Sequence, residues 1–118
     1  MFGFLKKEKK QTPEEQTPSL LEVGAKVFNY NPEYIRLNEQ IIVETVGQGR
    51  IYEDQQRYEE AIQEYMEAER LTQVICASEI AEFKRDFPER PDDWDWLYLR
   101  MIRRRIRVCR KAIAKRDG

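Results

Sequence analysis

Histidine is absent from the 118 residues, and with it go the commonest general base, the usual nitrogen ligand of zinc and the Glu-x-x-His pattern of di-iron sites. Cys76 and Cys109 stand alone, without CxxC spacing or an imidazole to take a proton. Both read as small apolar side chains in a reducing compartment rather than as nucleophiles or a disulfide. Ser19 and Ser78 are the only serines, neither lies in a Gly-x-Ser-x-Gly turn, and no glycine-rich phosphate loop occurs. Asp86, Glu89, Asp92, Asp93 and Asp95 offer oxygens to a hard cation. They lack the register of a calcium loop, and helix capping with dipole compensation accounts for them. The residue types point away from catalysis, and no cofactor or metal is expected.

The chemistry that remains belongs to arginine. Residues 96–116 hold nine Arg or Lys and no Asp or Glu, whereas residues 31–91 hold 14 acidic and 7 basic side chains. On a helical wheel Trp96, Arg100, Arg103, Arg107 and Arg110 share the face opposite the apolar seams, with Arg104 and Lys111 at its edge. Guanidinium forks bind carboxylates and phosphates bidentately, and beside an exposed tryptophan they can also stack on bases. A plainer reading is a solvated face, partly paired with the acidic middle of the chain. The net charge of −1 draws the protein to no polyanion at long range, so a protein partner with an acidic surface is expected, and nucleic acid is the alternative. Arg105 differs from its neighbours. It falls within an apolar seam, where an unpaired charge is costly, so it needs a carboxylate or a route to solvent.

Helices must position these groups. Charged residues are 36% of the chain and Gly and Pro five each, which favours amphipathic helices over strands and turns. Residues 1–17, rich in Lys, Gln, Glu, Thr and Pro, read as a tail; its Phe2, Phe4 and Leu5 followed by four lysines are suited at most to weak contact with an anionic membrane surface. Residues 18–118 form one helical domain. Ser19-Leu20-Leu21-Glu22 has capping-box spacing and opens a short helix to about Phe28. Asn31-Pro32-Glu33 signals a second start, with a helix to about Asp54 interrupted by Gly47 and Gly49, which imply a kink or a close contact. No Gly or Pro occurs in 57–87, so one long helix is expected there, ending before Pro88. Asp92 opens a basic last helix, 92–116, with Trp94, Tyr98, Met101, Val108 and Ala112 along one seam and Ile102, Ile106, Cys109 and Ile113 along another.

Residues 45–71 resemble one tetratricopeptide repeat, carried by Gly49, Tyr52, Tyr58, Ala61, Ile62, Tyr65, Ala68 and Leu71. Gly49 and Ala61 are small where two antiparallel helices approach, and the tyrosines fill the adjoining space. Thr45, Gln48, Gln56 and Gln73 depart from the family pattern, the third standing where the family has its turn glycine. An offset of 34 residues in either direction meets Asp95 or Val27 in place of the central alanine, so there is a single repeat. The expected fold is all-α: an antiparallel bundle of three long helices and a short N-terminal one, with a repeat-like hairpin at 42–75.

A lone repeat cannot bury its own faces, and flanking helices or a second protomer must cover them. The resemblance implies a binding groove along the first helix of the hairpin, at Val43, Val46, Arg50 and Glu53. Together with the basic last helix this describes a cytoplasmic adaptor or scaffold that works by protein–protein interaction.

Overall fold

Ser19 opens the first helix by the expected reciprocal cap: its hydroxyl accepts the Glu22 N–H at 3.1 Å, and the Glu22 carboxylate accepts the Ser19 N–H at 3.0 Å. The computed structural model describes residues 19–89 and 98–118. The tail at 1–17 and the start of the basic helix, with Asp92, Trp94, Asp95 and Trp96, lie outside the described residues. Helix α1, Leu20–Phe28, ends at Asn29, whose φ of 59° is the left-handed cap that asparagine tolerates best after glycine.

Asn31 also caps, its Oδ1 accepting the Glu33 N–H at 3.0 Å, but the helix expected from there does not run on. A 3₁₀ turn at Pro32–Tyr34 and another at Leu37–Glu39 precede helix α2, Gln40–Asp54. The apolar pattern explains the break. Ile35 is buried while Tyr34 and Leu37 stay more than four-fifths exposed, so a regular helix here would have no continuous stripe to bury.

Gly47 and Gly49 make close contacts within an unbroken helix. A Cβ on Gly47 would lie 2.1 Å from the Leu20 carbonyl oxygen, and one on Gly24 only 1.8 Å from that of Val43, so α1 and α2 cross backbone to backbone through these two glycines. A Cβ on Gly49 would meet the Tyr65 ring at 2.8 Å. Tyr65 belongs to helix α3, Tyr58–Ile75, which returns antiparallel after a turn in which Gln56 takes a φ of 63°.

The single long helix expected over 57–87 is divided at Cys76 into α3 and α4, Ala77–Asp86. Thr72 donates its hydroxyl back to the Ala68 carbonyl at 2.8 Å, an arrangement that bends helices, and the buried Cys76 marks the corner. Helix α4 ends before Pro88 as expected and buries none of its own residues fully. Helix α5, Leu99–Asp117, turns Leu99, Ile102, Ile106 and Cys109 into the core. Of the two seams read along it, the second supplies most of the core, while the first is buried at Tyr98 but leaves Val108 38% exposed.

The fold is therefore all-α, with no strand among the described residues. Helix α1 packs on α2, α2 on α3, and α3 on α5, around a core of Ile42, Val43, Val46, Ala61, Tyr65, Leu99 and Ile102. Among the described residues no helix is long and apolar enough to cross a membrane.

Candidate interaction surface

The basic residues of α5 divide according to the side of the helix they leave from. Inward, Arg105 reaches Glu53 at the end of α2, donating through Nε at 3.2 Å and through Nη2. The same carboxylate accepts the Tyr65 hydroxyl at 2.8 Å and has Arg50 at 3.8 Å. This answers the requirement set by the apolar pattern: the cation inside the seam is paired, and its carboxylate, only 9% exposed, has its oxygens hydrogen-bonded. Burial, and then the hydrogen bond to Glu53, raises the Tyr65 phenol far above its ordinary value. Towards α3, Arg103 pairs with Glu69 at 2.7 Å, and Arg116 donates to Glu59.

Outward, Arg104, Arg107, Arg110 and Lys111 are exposed and meet no carboxylate among the described residues. Arg100 is also exposed. The face read from the helical wheel is thus real for Arg100, Arg107 and Arg110, whereas Arg103 leans onto α3, and Trp96 lies outside the described residues.

The groove implied along α2 is different from expectation. Val43 and Val46 have no exposed surface and are core residues, because α2 is sandwiched between α1 and α3 and its apolar positions are consumed there. Glu53 is taken up by Arg105 and Tyr65. Only Arg50 of the four faces an opening: an open trough of about 880 Å³ walled by Val23, Lys26 and Val27 of α1 and by Met101, Arg104 and Arg105 of α5, with Arg50 and Asp54 in its floor. The α1 wall was missed by sequence reasoning. Its signal is that the apolar residues of α1 cover more than one stripe, so one flank is left over after packing on α2.

A second polar cluster ties the opposite end of the bundle. Glu39, 5% exposed, accepts the Tyr98 hydroxyl and the Arg36 guanidinium, which also donates to Glu79 at 2.7 Å. Phe28 meets Tyr98 edge to face, with ring centroids 5.1 Å apart, and holds the start of α5 in place. Glu39, Cys76 and Glu79 bring their ligand atoms within 4.8 Å of one another and are the group of described residues that a metal ion could use. Arg36 bridges both carboxylates and already supplies the positive charge there. Burial first, with nearby carboxylates second, pushes the thiols of Cys76 and Cys109 up to about 11, so both are protonated near neutral pH.

The arrangement can bind anionic groups along α5 and in the trough, and it sets no activated nucleophile beside a base among the described residues. Comparison with protein-family models, with curated proteins and with solved structures finds no match to this chain, so its surface is read from its own chemistry.

Proposed function

We propose that the chain is a non-catalytic protein-interaction module, an adaptor or scaffold, whose outward basic face on α5 receives an acidic surface of a partner protein. One observation carries this reading. Arg103, Arg105 and Arg116 are consumed by carboxylates of the same chain, while Arg104, Arg107 and Arg110 project from the same helix without an ion pair among the described residues. None of these outer arginines ties α5 to another helix through a carboxylate among the described residues, and aligned cations are suited to complementary carboxylates. The tetratricopeptide-like pattern at 45–71 supports the same role, since such hairpins serve as binding scaffolds. Protonated, buried thiols and the lack of histidine support the non-catalytic part, and reduced thiols fit a cytoplasmic address.

Nucleic acid is the second reading, favoured by the same arginines. The distribution of charge favours protein instead: the internal acids of α2 and α3 already offset much of α5, and the net charge is −1. Co-purification from cells decides between them when combined with a salt-dependent gel shift. The expected result is a protein partner that is lost on Arg107→Glu with Arg110→Glu, and little affinity for arbitrary oligonucleotides at physiological salt. Micromolar or tighter binding to arbitrary single strands, abolished by the same double substitution, overturns the ranking.

A further inference from the structure

We infer that the trough between α1 and α5 is a docking site for an acidic amphipathic segment of a partner protein; the inference rests on the reading of this chain as an interaction module. The trough exists because α1 packs on α2 and α5 packs on α3, leaving the two outer helices as facing walls over the end of α2. Its apolar surface comes from Val23 and Val27, one helical turn apart on α1, and Met101 on α5, and methionine adapts readily to a varied ligand. An open apolar trough of this kind can receive an amphipathic helix that lays its own i, i+3, i+4 anchors into it.

Charge selects the occupant. Several ionic groups around the trough are paired: Asp54 with Arg50 at 3.2 Å and Arg105 with Glu53, while the Glu22 carboxylate accepts the neutral Ser19 N–H at 3.0 Å as a helix cap. Lys26 on one wall and Arg104 on the other have no ion pair among the described residues. Apolar walls, each carrying a cation without an ion pair among the described residues, over a floor whose Arg50 and Asp54 are paired with each other, complement a helix with a leucine-like stripe bordered by carboxylates. The trough rejects one bordered by lysines, which would place like charges together.

The test uses the full chain, isotope-labelled for backbone amide spectra, with a synthetic probe peptide carrying Leu at i, i+3, i+4 and i+7 and Glu elsewhere, and a second peptide with Lys in place of every Glu. The expected result is shift changes centred on Val23, Lys26, Val27, Met101 and Arg104 with the acidic peptide alone. Lys26→Glu and Arg104→Glu, both on exposed or rim positions and each checked for retained helicity, are expected to weaken binding by about tenfold. The same charge reversal at Arg85 on α4 leaves it unchanged. Absence of acidic-peptide binding, equal binding of the basic peptide, or shifts confined to the Arg107 and Arg110 side overturns the trough. Failure of the underlying reading shows separately, as retention of every co-purifying protein by the Arg107→Glu, Arg110→Glu variant.

Discussion

Glu53, near the end of α2, and Arg105, in the middle of α5, join two helices that share little other contact, and Tyr65 of the intervening α3 completes the group through its hydroxyl. The pair closes the bundle where a charge interrupts the apolar seam of α5. Removing Arg105 alone leaves a carboxylate at 9% exposure with its main cation gone. Arg105→Leu is expected to cost about 2–4 kcal/mol, whereas Arg105→Leu combined with Glu53→Leu costs less than the single change because no charge is stranded. Urea unfolding of the two variants measures this, and equal or greater loss in the double variant contradicts it.

The crossing of α1 and α2 rests on backbone contact, which leaves no flexible side chain to yield. Gly47→Ala places a methyl group 2.1 Å from the Leu20 carbonyl oxygen, and Gly24→Ala places one 1.8 Å from that of Val43. Each is expected to lower stability by about 1–3 kcal/mol or to detach α1, although alanine is the better helix former. Thermal unfolding read by circular dichroism checks it; an unchanged midpoint in both variants would place α1 elsewhere.

Gln56 occupies the left-handed region at φ 63°, a conformation that costs a side-chain-bearing residue roughly 1 kcal/mol or more and glycine almost nothing. Gln56→Gly is therefore expected to stabilise the α2–α3 hairpin by about 0.5–1 kcal/mol, a direction opposite to that of glycine in a helix interior. A lowered denaturation midpoint would contradict it.

These tests also mark how far the sequence could be read. The hairpin was legible because Gly49, Ala61 and Tyr65 have a fixed spacing whose steric meaning is local: the ring fills the space that the glycine vacates. The demand of Arg105 for a carboxylate was legible too, as a charge inside an apolar seam. Its partner was not, since that depends on how α5 crosses α2, and many acids of the hairpin had equal claim. Val43 and Val46 were misplaced for the same reason, because periodicity distinguishes an apolar face from a polar one without saying whether a third helix covers it. The division at Cys76 had no comparable signal: Thr72 bonds back to Ala68 one turn before it, but Thr45 does the same to Ile41 within the unbroken α2.

Alkaline pH should weaken the fold through the two thiols. Cys76 and Cys109 are raised in the folded state from an ordinary value of 9.0 to about 11, so the folded chain keeps protons that the unfolded chain releases. Their contribution is fully present below about pH 9 and is lost as pH rises towards 11; Tyr65 and Tyr98, also raised by burial, act in the same direction. The expected outcome is a stability that falls above pH 9, with a shallower fall in a Cys76→Ala, Cys109→Ala variant. Native protein at pH 8 should also resist alkylation until denaturant is added, and prompt labelling of both thiols would show that they are accessible.

Arg103 and Arg107 lie one helical turn apart on α5, yet charge reversal at the two should have different consequences. Arg103 donates to the Glu69 carboxylate at 2.7 Å, so Arg103→Glu sets two carboxylates against each other across the α3–α5 contact and should lower the denaturation midpoint. Arg107 is exposed and forms no ion pair among the described residues, so Arg107→Glu should leave the midpoint close to that of the parent, as surface substitutions without partners usually do. Binding should follow the reverse order: Arg107→Glu removes a cation from the outer face and installs repulsion towards an acidic partner, an effect that weakens at high salt because exposed charges are screened over roughly 8–10 Å near physiological ionic strength. Unfolding curves for both variants, set beside partner retention at two salt concentrations, separate the structural arginine from the interacting one. Equal loss of stability in the two variants, or full partner retention by Arg107→Glu, would remove the outer face of α5 from the binding surface.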